Sequence, residues 1–367
     1  MTFAGPMLDR ITLASFRNHA ASRLEGSAHF NLLVGENGAG KTNVLEALSL
    51  LAPGRGLRRA PLAEVAMTGG PGGFTVSAAL DCSDGREPVR LGTGTQPERP
   101  GRRIVQVNGA EASALMLGEW LALGWLTPAM DGLFADSAGA RRRYMDRLAL
   151  ALDPGHARHA SRYEAALRER NRLLAGEAEP DPRWLSSLEA QLAEAGSALG
   201  QGRQALVERL SAALAGLPDA PFARPLLGYL PGGPLEGEGL AAELARQRAR
   251  DRAAQRTLTG PHRDELEVTL AATGAPAARC STGEQKALLI AITLAHASLA
   301  AAGRPGVLLL DEVAAHLDPL RRAELFERLR AGRAQVWLTG TELAPFAGIE
   351  GEAAVWKVIA GEVERLS

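Results

Sequence analysis

Cysteine, lysine and aromatic side chains are all scarce in this chain of 367 residues. Its two cysteines, Cys82 and Cys280, lie far apart with no His or Cys companions at ligand spacing. That argues against a zinc site and a disulfide framework, and both thiols are expected to be reduced. Aromatics make up 4% of the chain, too few for a platform on which single-stranded bases stack, so recognition of a duplex backbone is the expected mode of any nucleic-acid contact. No apolar run approaches the roughly 20 residues that a membrane span requires. The opening stretch "MTFAGPMLDRITLASFRNHA" has no signal-like layout, because Asp9 and Arg10 break its apolar run. A cytoplasmic protein without a membrane partner is the expectation. A net charge of −1 and a pI of about 6.7 give no global attraction for nucleic acid, so a DNA contact must come from a local basic patch.

The only lysines are Lys41, Lys286 and Lys357; arginine serves almost everywhere else. Where a chain so strongly prefers arginine, a retained lysine is informative. Lys41 stands where a compact, flexible ammonium is wanted and a planar guanidinium fork would not fit.

From residue 8 to about 128 the pattern is one of short β-like runs, "ITLASF", "FNLLVG", "FTVSAAL", "VRLGTG", "RIVQVNG" and "LGWLTP", divided by Gly- and Pro-rich turns. From about 137 to 256 Ala, Leu, Arg and Glu recur at helical spacing, interrupted at 216–239 by a Pro- and Gly-rich stretch that reads as a long loop or a short strand pair. After 257 strands and helices alternate again, with continuous apolar strands of the kind found in parallel sheets covered on both faces. The expectation is an α/β fold in which residues 1–128 and 257–367 form one head and 129–256 an inserted, mostly helical lobe. No repeat or sustained heptad pattern is present.

"GENGAGKT" supplies Gly35, Glu36, Asn37, Gly38, Ala39, Gly40, Lys41 and Thr42, filling every fixed position of G-x-x-x-x-G-K-[ST]. The apolar strand before it and the helix after it are the context that such a phosphate loop needs. Backbone N–H groups close around the phosphates, Lys41 reaches the β and γ oxygens, Thr42 offers a hydroxyl to Mg²⁺, and the helix N-terminus adds partial positive charge. "GVLLLDE" ends a buried strand in two carboxylates. Paired with the loop, Asp311 is expected to hold Mg²⁺ and Glu312 to orient or deprotonate the attacking water. "CSTGEQK" places Ser281, Thr282, Gly283 and Glu284 at a helix start, where they form either an ordinary N-cap or an anion-facing turn.

The order of these pieces, followed by "HLD" at 316–318, resembles that of ATP-binding-cassette ATPases. The resemblance implies a head-to-head dimer that sandwiches two ATPs, with Ser281 and Gly283 completing the partner's site in trans and Asp318 at the dimer seam. The further segments "SFRNHA", "WLTPAMDGLF", "RRRYMDRLALALDP", "YEAALRERNRLL", "LTGPHRDEL" and "STGEQKALLIAITLA", in this order and nearly end to end, look like the RecF family of bacterial DNA replication and repair ATPases. That resemblance implies ATP-dependent DNA binding at gaps or single/double-strand junctions, help in loading a recombinase, and the mediator protein RecR as a partner. Three departures from the wider superfamily stand out: the signature reads Cys-Ser-Thr-Gly-Glu, and no histidine follows the "VWLTG" strand. Nor does "TPAMDGLF" carry a glutamine. Slow, switch-like turnover is the expectation.

Arg17 and Asn18 are placed to reach the nucleotide, as their counterparts do in similar heads, or to end a strand in solvent. Arg55, Arg58 and Arg59 in "PGRGLRRA" are candidate DNA contacts or solubilising charge. Arg141, Arg142 and Arg143 are candidates too, although Arg142 and Asp146 have the i, i+4 spacing of an ion pair. His262, Arg263 and Asp264 can meet the nucleotide, the dimer seam or one another. The arginines of the helical lobe, Arg162, Arg168, Arg170 and Arg172, read as a solvated face. Two readings from other classes compete: the energy-coupling subunit of a membrane transporter, and a chromosome-organising protein of the SMC type, which would need long heptad-bearing arms.

Overall fold

The computed structural model describes residues 7–81, 87–218 and 220–367, so Cys82 lies outside the described residues. The chain folds as two compact units, one made of Met1–Met130 with Thr293–Ser367 and the other of Asp131–Ile292. The second division thus falls well after residue 257, where the sequence pattern changes. The reason is that residues 257–292 are tied to the inserted unit by a strand pairing and by buried hydrogen bonds described below.

In the first unit the chain runs through β1 (Met7–Phe16), β2 (His19–Leu24), β3 (Phe30–Val34), α1 (Lys41–Ser49), β4 (Phe74–Asp81), β5 (Val89–Gln96), β6 (Arg99–Val107), β7 (Ala110–Glu111), a single turn α2 (Leu117–Trp120) and β8 (Ala122–Leu126). The inserted unit contains α3 (Ala138–Leu152), α4 (His156–Ala175), α5 (Pro182–Ala215), β9 (Pro225–Leu230), α6 (Gly237–Arg246), α7 (Arg248–Ala253) and β10 (Glu265–Leu270). Helix α8 (Thr282–Ala300) leads back into the first unit, which ends with β11 (Gly306–Leu310), α9 (Pro319–Ala331), β12 (Gln335–Gly340), β13 (Ala353–Ile359) and β14 (Glu362–Arg365).

Two six-stranded sheets build the first unit. One has the order β14-β13-β3-β12-β11-β8, parallel except for the edge hairpin to β14. Every residue of β3, β11 and β12 is buried, as strands covered on both faces require. The other sheet, β2-β1-β4-β5-β6-β7, is antiparallel throughout. Its strands alternate more: in β1, Leu8, Ile11, Leu13 and Phe16 point inward between more exposed positions. Leu13, Phe16, Phe74 and Leu91 of this sheet share one core with Leu33, Leu309, Trp337 and Trp356 of the parallel sheet and with Val44 and Leu48 of α1. Trp337 and Trp356, on the strands flanking β3, stack with centroids 5.3 Å apart and planes 17° apart. Such a pair is worth about 0.5–1.5 kcal/mol beyond its buried area.

In the inserted unit α5 begins at Asp181, whose carboxylate accepts from the Arg183 N–H at 2.7 Å, with Pro182 in the first turn. It buries Leu185, Leu188, Leu192, Leu199, Leu206, Leu210 and Leu214, a stripe of helical period, against α3, α4 and α6. The 216–239 stretch does hold a strand, but β9 pairs with the distant β10 (Leu227 opposite Val268) and not with a neighbour inside the stretch. The solvated-face reading of the α4 arginines holds for Arg162, Arg168 and Arg172, whose partners are the exposed or half-buried Glu194, Glu164 and Glu169. Arg170 departs from it and is 0% exposed. Its guanidinium donates to Asp251 at 2.6 Å, Thr257 Oγ1 at 2.8 Å, and Glu189 and the Leu244 carbonyl at 3.1 Å each. The helical period explains this, because Arg170 shares a face with the buried Tyr163, Ala166 and Leu174.

Candidate nucleotide site

The loop between β3 and α1 is shaped by two glycines. A Cβ on Gly35 would sit 2.2 Å from the Val358 carbonyl oxygen, so no larger residue lets the chain leave β3 this way. Gly40 has φ 117°, and a Cβ there would lie 2.8 Å from both Asn18 Oδ1 and His19 Nε2. Gly40 is also the N-cap of α1 and, lacking a side chain, leaves the first amides of the helix uncapped. Glu36, Asn37 and Gly38 form the exposed crown of the loop, whereas Ala39 is buried.

The turn after β1 and the start of β2 brace this loop. Asn18 Nδ2 donates to the Ala39 carbonyl at 3.0 Å and Asn43 Nδ2 to Asn18 Oδ1 at 2.6 Å. His19 Nε2 lies 3.1 Å from the Gly40 carbonyl, and its Nδ1 2.8 Å from Ser22 Oγ. Burial pushes the His19 pKa below its ordinary value, against the opposing pull of the Gly40 and Gly361 carbonyls. Arg17 is held by partners within the fold. Its Nε and Nη2 grip Glu46 at 2.9 and 2.7 Å, and Nη1 donates to the Glu64 carbonyl at 2.8 Å. Glu46 is 2% exposed, and a buried carboxylate demands such a countercharge.

Lys41 is 4% exposed, and its ammonium donates to the Gly35 and Glu36 carbonyls at 2.7 and 2.8 Å. Burial lowers its pKa, opposed by the negative charges of Glu312 and Asp311. Thr42 Oγ1 donates to the Asp311 carboxylate, 2.9 Å from Oδ1 and 3.1 Å from Oδ2. The strand order β3-β12-β11 puts one strand between the two that carry these motifs. Its Thr339 donates to Asp311 Oδ1 at 2.7 Å and accepts from the Glu312 N–H at 2.9 Å. Glu312 is half-buried and left-handed, with φ 54°. The sequence reading did not single out Thr339, His19 or Asn43.

This donor set fits a nucleoside triphosphate with a hard divalent cation. The uncapped α1 amides and the buried ammonium suit phosphate oxygens. The Thr42 hydroxyl and Asp311 carboxylate are oxygen ligands of the kind Mg²⁺ takes, in the small number it takes when phosphates supply others. Among the described residues no group of three or more His, Cys, Asp or Glu side chains could hold a metal by itself.

The signature turn forms an N-cap, one of the two arrangements its sequence allows. Ser281 Oγ accepts from the Glu284 N–H at 3.3 Å, while the Glu284 carboxylate accepts from the Ser281 N–H and hydroxyl at 2.8 Å each. These bonds hold the Glu284 pKa down. Ser281, Thr282 and Gly283 are exposed at the start of α8. Asp318 caps α9, accepting from the Arg321 N–H at 2.9 Å, and its side chain is 50% exposed.

The candidate DNA arginines divide. Arg55 and Arg143 are exposed, and so is Arg59, which sits at φ 57°. Arg58 instead donates to Glu46 and Asn43, at 2.6 Å each. Arg141 forms a two-pronged pair with Glu265 at 2.6 and 2.8 Å, and Arg142 donates to the Asp264 carbonyl at 2.9 Å. The Arg142–Asp146 pair suggested by spacing gives way because Asp146 is taken by Arg203 at 2.8 and 2.9 Å and by His156 at 2.9 Å. His262 and Asp264 are structural members of the inserted unit. His262 bonds Tyr163 and the Thr257 carbonyl, and Asp264 receives Arg203, Tyr229 and the Gly232 N–H. No helix among the described residues is long and apolar enough to cross a membrane.

A head assembled from both chain ends, with a phosphate loop, an acidic strand end and an inserted helical unit, defines an ATPase of the P-loop class. Residues 7–346 match the family model described as the RecF/RecN/SMC N terminal domain. The chain is 48% identical over 372 residues to the DNA replication and repair protein RecF of Mesorhizobium japonicum, covering 97% of each. A solved structure of the recombination mediator protein RecF-ATP of the RecFOR pathway superimposes with a TM-score of 0.86 at 24% identity, covering 100% of this chain and 99% of that one. An SMC head bound to the C-winged helix domain of ScpA shares the fold more loosely, with a TM-score of 0.57 at 16% identity over 98% of this chain and 97% of that one. The chain belongs to the RecF family of DNA replication and repair proteins. Its whole-length match to a RecF protein favours that family over the transporter-subunit and SMC readings.

Proposed function

We propose that this chain is an ATP-driven DNA clamp of recombinational repair and replication restart, acting in the cytoplasm. ATP binding joins two copies head to head around DNA at gaps or single/double-strand junctions, where the dimer promotes recombinase loading in company with RecR. Hydrolysis, slow and stimulated by DNA, resets it. The observation that carries the reading is the convergence of Lys41, Thr42, Asp311 and Glu312 within one unit.

In this mechanism the α1 amides and Lys41 bind the β and γ phosphates, the ammonium exchanging two loop carbonyls for phosphate oxygens. Thr42 and Asp311 would hold Mg²⁺, which when bound offsets negative charge on those phosphates. Glu312 orients the attacking water and accepts its proton. Ser281 and Gly283 of each copy, exposed at a helix N-terminus, close the other copy's site, and Asp318 lies at the seam. For DNA contact the exposed Arg55 and Arg143 are better placed than Arg58, Arg141 and Arg142, which are engaged within the fold; Arg59 is exposed as well.

Sedimentation of the purified protein with Mg-ATP tests this. The wild type should form dimers, Lys41→Met and Ser281→Arg should stay monomeric, and Glu312→Gln should form dimers that outlast those of the wild type. A Glu312→Gln dimer no longer-lived than wild type contradicts the assigned role of Glu312.

A further inference from the structure

We propose that Thr339 is a positioning residue for hydrolysis: its hydroxyl sets the main chain of Glu312 and ties it to the carboxylate of Asp311. The inference rests on the nucleotide-site reading above and extends it to a residue outside both sequence motifs.

Thr339 is 1% exposed on β12, the strand between those carrying the phosphate loop and the acidic pair. A threonine hydroxyl has one proton to give, and here it goes to Asp311 Oδ1 at 2.7 Å. The oxygen then accepts the Glu312 N–H at 2.9 Å. With its donor and an acceptor site both committed, the hydroxyl has one orientation. What it holds is unusual, because Glu312 is a non-glycine residue at φ 54°, a conformation that persists only where its surroundings enforce it. That conformation sets the direction in which the Glu312 side chain leaves the strand end. Asp311 Oδ1 also accepts from Thr42, so a single carboxylate oxygen links the start of α1 to the Glu312 peptide through Thr339. Thr339 touches neither the reacting atoms nor the phosphates in this account; it acts through Glu312.

The experiment compares wild type, Thr339→Val, Thr339→Ser and Glu312→Gln for ATP affinity, kcat, KM and the lifetime of the ATP-bound dimer. Valine keeps the branched shape in the buried strand and removes only the hydroxyl. Thr339→Val should lower kcat by about 10- to 100-fold, the scale of a small misplacement of a catalytic group. Its nucleotide affinity should stay near wild type and its dimers should be long-lived, as for Glu312→Gln. Thr339→Ser should restore kcat to near wild type, a rescue that depends on the hydroxyl. If the valine variant does not fold, Thr339→Ala gives the same comparison. Wild-type turnover in the hydroxyl-free variant, equal losses of affinity and kcat, or failure of serine to rescue would each overturn the proposal. A wild type without ATPase activity, or a fully active Glu312→Gln, signals instead that the nucleotide-site reading is wrong, and the role of Thr339 falls with it.

Discussion

Thr42 and Asp311 are 269 residues apart in the chain, yet the threonine hydroxyl reaches both carboxylate oxygens, at 2.9 and 3.1 Å. The contact exists because β3 and β11 run parallel on either side of β12 and end at the same edge of the sheet. If Thr42 holds Mg²⁺ as proposed, removing its hydroxyl takes away one oxygen ligand of the cation, an interaction with a charged group worth about 1.5–3 kcal/mol. Thr42→Val should therefore weaken ATP binding about 10- to 100-fold in the presence of Mg²⁺ and much less in its absence. Nucleotide titrations with and without the cation check this.

Arg170 is a buried cation matched by Glu189 and Asp251. Truncating it leaves the buried Asp251 without its guanidinium, while Glu189 keeps Arg248 at 2.5 Å. Arg170→Ala should destabilise the inserted unit by about 3–5 kcal/mol. Arg162→Ala, which breaks an exposed pair with Glu194, should cost under about 1 kcal/mol. Chemical denaturation of the two variants, compared with wild type, measures the contrast.

Arg55 is exposed, whereas Arg58 is committed to Glu46 and Asn43. If the loop after α1 lies along DNA, Arg55→Ala should weaken binding on all sequences alike and reduce the slope of log affinity against log salt by roughly 1, without changing the melting temperature. Arg58→Ala should instead lower the melting temperature. DNA titrations across a salt series, with thermal unfolding alongside, separate the two.

His19, His29 and His262 all have pKa values lowered chiefly by burial. For His262 the positive charges of Arg263 and Arg142 add to the effect, while the Thr257 carbonyl and Asp264 oppose it. The folded state thus keeps these rings neutral while the unfolded chain protonates them near its ordinary value of about 6.5. Below that pH the unfolded state binds more protons, so stability should fall as pH drops from about 6.5 toward the depressed folded values and be flat on this account above it. Unfolding free energies at a series of pH values should show that decline, and His262→Gln should make it shallower.

Much of the site was legible in the sequence because its motifs are local. The loop from Gly35 to Thr42 and the acidic end of "GVLLLDE" announce themselves by spacing within a few residues, and the unbroken apolar run before Asp311 marked β11 as a buried strand. What connects these pieces was not legible. Thr339 looks like any strand threonine until β12 is known to lie between β3 and β11. Asn18 braces the loop and Arg17 beside it turns to Glu46, a difference of direction that no pattern encodes. Arg142 and Asp146 have pairing distance on a helix, but Arg203, 57 residues from Asp146, takes the carboxylate. The signal for Arg170 was present, since it falls on the face of Tyr163, Ala166 and Leu174, and charge alone hid it. The second, antiparallel sheet was not foreseen as separate, because strands of both sheets interleave along the chain.

The central claim is that nucleotide occupancy of this site creates a DNA-binding dimer. Binding to duplex and gapped DNA at low salt, with and without Mg-ATP, tests it most directly, with Lys41→Met and Ser281→Arg as controls. The account predicts that ATP brings tight binding by dimers, with a preference for gapped DNA, and that both substitutions abolish it. ATP-dependent dimers that ignore DNA, or DNA binding indifferent to ATP and to both substitutions, would contradict it.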